Sequence, residues 1–152
     1  MPKDRFNKHY IPICHVRLIR DGSITADRNI IRGPEDAYTI LKGYFVDLPN
    51  EHFLAMLLNT KNHVIAVTPV STGSLNASIV HPRELFQRAI LSNSASVILA
   101  HNHPSGDPSP SPEDLELTQA LAAAGKVLDI AVIDHIILGD GYWVSLKERG
   151  IL

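Results

Sequence analysis

The sequence predicts an α/β fold: a single domain in which a mixed β-sheet is flanked by helices. Three observations predict it. An unbroken apolar run, Val97-Ile-Leu-Ala100, leads into a polar loop that opens a helix-spaced stretch at Ser111-Pro-Glu-Asp114. Two further apolar runs, at 53–58 and 64–67, flank the turn-rich Asn59-Thr-Lys-Asn62. Helical and strand-like periodicities then alternate along the chain, the pattern that puts helices against a sheet. At 152 residues, 45% of them hydrophobic, the chain can bury one substantial core and is short for two.

Residues 1–33 form an N-terminal extension: a polar, loosely held start, then Val16 and Leu18 in a weak edge strand before the Asp21-Gly22 turn. Gly33-Pro34-Glu-Asp announces a helix from about Pro34 to Val46, with Ala37, Ile40, Leu41, Tyr44 and Phe45 on one face. The runs 53–58 and 64–67 make a β-hairpin, and Ser71-Thr-Gly-Ser-Leu75 a loop or bulged strand. Pro82 to about Asn93 reads as a helix with Leu85, Phe86, Ala89 and Ile90 inward. A firmer helix runs from Pro112 to Ala124, stopped by Gly125. Ile130 to Leu138 is a strand, Asp140-Gly141 turns it, and Tyr142-Trp-Val144 is a short last strand, after which Ser145 caps a terminal helical turn.

The chemistry concentrates between residues 97 and 118. A strand at 97–100 buried on both faces ends in His101-Asn-His103, and the strand period of two puts both imidazoles on one side with Asn102 pointing away. Pro104, Pro108, Pro110 and Pro112 stiffen the loop, and Gly106 permits its bend. Ser111 suits the N-cap of the next helix, Pro112 its first position and Asp114 its third. Two imidazoles and a carboxylate converging on one point can hold Zn²⁺ with a fourth position open, the arrangement of a catalytic zinc site. Ser-x-x-Asp is equally close to a plain capping box, and His-x-His alone is a weak signal. Their combination at this spacing is specific.

The string His101-x-His103, seven residues, Ser111-x-x-Asp114 resembles the JAMM (MPN-plus) motif of zinc metallopeptidases, and His101-Asn-His-Pro-Ser-Gly-Asp-Pro-Ser-Pro-Ser111 resembles its RadC branch. Leu57-Leu-Asn-Thr-Lys-Asn62, Ser71-Thr-Gly-Ser-Leu75, His81-Pro-Arg-Glu-Leu85 and Asp134-His-Ile-Ile-Leu-Gly139 are similar to RadC segments in the same order. The resemblance covers about residues 35–152, so residues 34–152 are expected to form a RadC-like JAMM/MPN catalytic domain. It implies the JAB/MPN, cytidine-deaminase-like architecture and one Zn²⁺ on His101, His103 and Asp114. It also places a glutamate immediately before the hairpin, which matches Glu51, and makes Glu51 the general base and Ser111 the donor to the oxyanion. A cap accepts from backbone N–H while an oxyanion needs a donor, so the two roles of Ser111 are compatible.

Other residues of the same types are weaker candidates. Asp107 lies in the loop, but Asp114 is anchored by a helix and selected by the family spacing. Glu35 and Glu84 fall at helix starts, where acids are expected. His135, beside Asp134 in an apolar run, reads as a hydrogen-bonded core residue. His9, His15, His52, His63 and His81 share no ligand spacing and read as surface or turn residues.

The leading function is therefore a JAMM-type zinc hydrolase acting on an amide or isopeptide bond of a peptide or protein substrate. The RadC resemblance also brings a DNA-repair or DNA-processing label. The net charge of −2, with 14 Lys and Arg against 16 Asp and Glu, supplies no global basic field for DNA, and the cluster of Lys3, Arg5, Lys8 and His9 is small. Longer RadC proteins place a helical module ahead of the catalytic domain, and the residues before the first helix are expected to leave no room for one, which argues against a DNA role. A DNA role predicts an affinity that falls steeply with salt. A nucleobase deaminase would need His-x-Glu and Pro-Cys-x-x-Cys, whereas Cys14 is the single cysteine. A catalytically silent MPN scaffold would lack the ligands. One cysteine, no signal peptide and no run long enough to span a bilayer lead to the expectation of a soluble, cytoplasmic protein.

Overall fold

A computed structural model describes residues 9–73 and 80–152. Pro34, whose φ is preset for a helix, opens α1 (Pro34–Leu41), and the Asp36 carboxylate accepts from Arg32 N–H at 2.8 Å to steady the entry. The helix is shorter than the sequence predicts. Gly43 is a poor helix former and Asp47 takes a positive φ of 54°, so residues 42–47 continue as turns. Phe45 stays buried in the same core all the same.

Strands β1 (His52–Leu58) and β2 (Val64–Thr72) form the expected hairpin. Asn59 makes its turn: the side-chain oxygen accepts from the N–H groups of Lys61 and His63 at 2.9 and 3.0 Å, and Asn62 supplies a positive φ of 59°. β2 runs further than residue 67 and passes through Pro69, which an edge strand tolerates. Its register slips opposite Phe53 and Leu54, so Ser71 and Thr72 end a bulged strand; Ser74 and Leu75 lie outside the described residues.

Helix α2 (Pro82–Leu91) leads into β3 (Ser96–Asn102), and helix α3 (Pro112–Leu128) into β4 (Ala131–Leu138) and β5 (Trp143–Ser145). Gly125 does not stop α3. A Cβ there would stand 2.3 Å from the carbonyl oxygen of Ile130 and 3.1 Å from the Phe86 ring, so the glycine serves a close approach inside the helix, and Asp129 ends it instead at φ 57°. Ser145 does cap the last turn, accepting from Glu148 N–H at 3.1 Å while donating to Asp134 at 2.7 Å.

The five strands lie in the order β2-β1-β3-β4-β5, antiparallel throughout except for β3 beside β4, which α3 connects as a crossover. The result is a mixed sheet between two helical layers. On one face α1 packs on Leu54, Met56, Leu58, Ile98, Ala100, Ile136 and Leu138; on the other α2 and α3 cover Phe53, Ala55, Leu57, Val97 and Leu99. Because both faces are covered, β1 and β3 are apolar without alternation.

One element of the N-terminal extension is corrected. Val16 and Leu18 form no strand: residues 9–26 are exposed and irregular, and among the described residues the first pairing is a bridge between Ile30 and His63. The apolar residues Ile11, Ile13, Val16, Leu18 and Ile19 switch parity midway, so an extended chain could not bury them on one face.

Candidate metal centre

Sheet parity decides which side chains meet. Val97, Leu99 and His101 face α3, while Ile98, Ala100 and Asn102 face α1. The register sets Phe53 opposite His101 and Leu99 opposite His135, so both histidines and Phe53 share the α3 face. On α3 the inward positions are Asp114, Thr118, Leu121 and Gly125. The first two are polar and stand over the histidines; the last two join the apolar core.

His101, His103 and Asp114 thus come together with one donor atom each, all within 4.8 Å of one another. His101 Nε2 lies 2.9 Å from His103 Nε2 and 3.2 Å from Asp114 Oδ1, and His103 Nε2 lies 3.2 Å from Asp114 Oδ2. Each ligand candidate is held from behind. His103 Nδ1 donates to the carbonyl of Asp107 at 2.8 Å. Asp114 is fixed by a capping box: Ser111 N–H donates to its carboxylate at 2.8 Å while Ser111 Oγ accepts from Asp114 N–H at 3.1 Å. His101 Nδ1 meets His135 Nε2 at 2.7 Å, and His135 Nδ1 meets Thr118 Oγ1 at 2.6 Å.

The charges follow this geometry. Burial alone would raise the Asp114 carboxyl, but hydrogen bonds from His101 and His103 outweigh it and hold the group well below the usual carboxylate range. The Asp114 hydrogen bond raises His103 in turn, against the effect of burial. Burial pushes His135 well below the ordinary histidine value, and the neighbouring His101 adds to the shift.

Glu51 sits at the mouth of β1 with Oε1 3.8 Å from His101 Nε2, close enough to share the space in front of the ligand atoms. Asn102 points away from that space and clamps the segment that carries Glu51: its Oδ1 accepts from His52 N–H at 2.7 Å and its Nδ2 donates to the Asn50 carbonyl at 3.1 Å. Asp107 lies outside the cluster, its carboxylate accepting from Ser109 N–H, which holds its pKa low. Glu35 and Glu84 are in the first turns of α1 and α2. His9, His15 and His81 are exposed. His52 is different from its sequence reading: it lies on β1, half-buried, with Nδ1 lacking a partner among the described residues.

His135 is a hydrogen-bonded core residue, as its sequence context suggests, but not through the adjacent acid. The Asp134 carboxylate binds His135 N–H, Ser145 Oγ and Lys147 N–H, leaving the imidazole to His101 and Thr118. Sequence reasoning misses Thr118 and the clamp of Asn102. Thr118 carries one usable signal, its position one helical turn beyond Asp114 on the same face.

A cleft of about 710 Å³ opens beside the cluster, between the turns after α1 and the loops at 103–106 and 139–141. His103 lines it, with Lys42, Asp47 and Asp140 as charged groups on its walls. The loops are pinned together: His103 N–H donates to the Leu138 carbonyl at 2.8 Å and Asp140 N–H to the Gly106 carbonyl at 2.9 Å.

A mixed sheet layered by helices, with His-x-His at a strand end and an aspartate in the next helix, defines an α/β domain with a candidate three-ligand metal site. Residues 31–151 match the RadC-like JAB domain, and the chain belongs to that family. It is 58% identical over 123 residues to a UPF0758 protein from Shouchella clausii, covering 81% of this chain and 54% of that one. UPF0758 proteins from Desulforamulus reducens and Methanococcoides burtonii are 55% and 53% identical over 82% and 80% of this chain, and 55% and 53% of their own. The chain spans about half the length of these curated relatives. Among the described residues, no helix is long and apolar enough to cross a membrane.

Proposed function

We propose that this chain is a zinc-dependent hydrolase of the JAMM metallopeptidase type, cleaving an amide or isopeptide bond in a peptide or protein substrate. The observation that carries the reading is the spacing of the three donor atoms. Ligands at about 2.0–2.1 Å in a tetrahedron stand about 3.3 Å apart, and the His101, His103 and Asp114 contacts are 2.9, 3.2 and 3.2 Å. The Asp107 backbone carbonyl accepts from His103 Nδ1–H, so Nε2 is the ring atom turned to the cluster. Two imidazoles and a carboxylate, with Glu51 beside them, fit a zinc with an open fourth position.

Bound there, zinc supplies an acidified water and a positive charge for the carbonyl oxygen of the substrate. Glu51 takes a proton from the attacking water as its oxygen bonds to the carbonyl carbon, and passes that proton to the leaving nitrogen as the C–N bond breaks. Ser111, whose oxygen accepts from Asp114 N–H, keeps its own proton to donate to the oxyanion. The cleft lined by His103 is of the size that holds an extended ligand.

Metal content by mass spectrometry on untagged protein tests the reading. About one zinc per chain is expected in the wild type and much less in His103→Ala, as for a site with three protein ligands. Glu51→Gln should keep its zinc and lose hydrolysis across a panel of peptide and isopeptide substrates. No metal in the wild type after zinc is added back, or full activity in Glu51→Gln, would overturn the proposal.

A further inference from the structure

We propose that Thr118 and His135 are positioning residues that hold a proton of His101 on Nδ1, so that Nε2 is the atom the ring offers toward His103 and Asp114; the proposal rests on the metal-site reading only for its consequence, not for the proton arrangement itself.

The arrangement follows from counting protons. Thr118 Oγ1 lies 2.6 Å from the backbone carbonyl of Asp114 and 2.6 Å from His135 Nδ1. A carbonyl cannot donate, and two oxygens do not sit that close without a proton between them, so the single hydroxyl proton of Thr118 goes to Asp114. Thr118 can then only accept from His135, which must carry its proton on Nδ1. His135 is fully buried and neutral, with one ring proton to place, so its Nε2 is an acceptor. His101 Nδ1, 2.7 Å away, is therefore the donor. His101 thus keeps a proton on its inward Nδ1, and Nε2 is the ring atom turned toward the cluster.

Running the chain backwards fails at its last step. A proton on His101 Nε2 alone would make Nδ1 an acceptor, His135 would donate from Nε2 and accept at Nδ1, and Thr118 would have to donate to His135. The 2.6 Å contact with the Asp114 carbonyl would then be lone pair against lone pair, in a place with no water to intervene: Thr118 and His135 are 0% exposed and His101 is 1% exposed. Phe53 holds the ring planes in which the chain works, stacking on His101 at 5.8 Å and 9° and meeting His135 edge-on at 5.4 Å and 66°.

The two histidines of the cluster are thus oriented by different means. His103 uses a backbone carbonyl, which can only accept, and needs nothing further. His101 uses another histidine, which can face either way until Thr118 decides. The chain also closes on itself, because the carbonyl that fixes Thr118 belongs to Asp114. A threonine whose own contacts are the Asp114 backbone carbonyl and His135 consequently sets the donor atom of His101.

Long-range ¹H–¹⁵N correlation on metal-free, ¹⁵N-labelled protein reads the tautomers directly. The wild type should show His101 and His135 each protonated on Nδ1, with His135 Nε2 bare. Thr118→Val, nearly the same shape with no hydroxyl, should admit the reversed tautomers and weaken zinc in a chelator competition by roughly ten- to hundredfold, the usual effect of losing such a partner. Thr118→Ser should restore both the spectrum and the affinity, which a purely volumetric role for the residue would not predict. A wild-type His101 without a proton on Nδ1, or a folded Thr118→Val that binds zinc as tightly as wild type, would overturn the inference. If the wild type shows the Nδ1 tautomers yet binds no zinc, the hydrolase reading fails and the proton arrangement stands.

Discussion

Asn102 grips the backbone on both sides of Glu51 without touching Glu51 itself. One side-chain amide accepts from His52 and donates to Asn50, tying the end of β3 to the start of β1 across antiparallel strands. Alanine at this position removes both bonds and leaves polar backbone groups short of partners in a largely buried spot. Asn102→Ala should lower the unfolding free energy by about 1–3 kcal/mol in urea, and the His52 amide should exchange faster with deuterium. Unchanged stability with a protected His52 amide would show that the clamp is idle.

Gly139 is where the loop after β3 rests on the loop after β4. A Cβ there would stand 2.2 Å from the Gly106 carbonyl oxygen and 2.8 Å from Pro108. Gly139→Ala must push the 103–108 loop outward, carrying with it the Asp107 carbonyl that orients His103. Zinc affinity is expected to fall in a chelator competition while the helices, read by far-ultraviolet circular dichroism, remain. Affinity equal to wild type would mean that the loop moves without His103.

The metal-free protein should be most stable near the ordinary histidine pKa of about 6.5. His103 is raised, chiefly by its hydrogen bond to Asp114. Its paired, protonated form therefore adds stability that is whole below about 6.5 and lost as pH climbs through the raised value. His135 is lowered, chiefly by burial. Its contribution is whole above about 6.5 and lost as pH falls below that, because the unfolded chain takes the proton first. Asp114, also lowered, loses its share only in strong acid, below the ordinary aspartate value. Melting temperatures measured with a chelator present should fall on both sides of neutrality, and a steady rise from about pH 5 to about pH 9 would contradict the pairing of His103 with Asp114.

Gly125→Ala sets two effects against each other. Alanine improves helix propensity by about 1 kcal/mol, yet its methyl would meet the Ile130 carbonyl oxygen at 2.3 Å. Backbone cannot yield as a flexible side chain can, so the substitution should destabilise by about 1–3 kcal/mol. A gain in urea resistance would show that α3 and the Ile130 turn separate at little cost.

What the sequence makes legible depends on how local the signal is. His101, His103, Ser111 and Asp114 announce themselves because strand period, N-cap chemistry and short spacing all act within a few residues. The same locality misleads at Gly125, where the nearest turn signal says stop while packing against Phe86 and Ile130 says continue. It misleads again at Val16 and Leu18, where β-prone residues lack a shared face. Asn102 and Thr118 are invisible for a third reason. Their partners lie on other elements, and only the sheet register and the helix face bring them together.

The crossover between β3 and β4 has a consequence for how the protein is made. During synthesis from the N-terminus, the hairpin, β3 with His101, His103 just beyond it and the start of α3 all leave the ribosome before His135 does. Until β4 has emerged and zipped along β3, His101 lacks the His135 partner for its Nδ1. A nascent chain therefore carries the three donor residues well before it carries the competent pocket, and loading with an ion should mark completion of the domain rather than seed it.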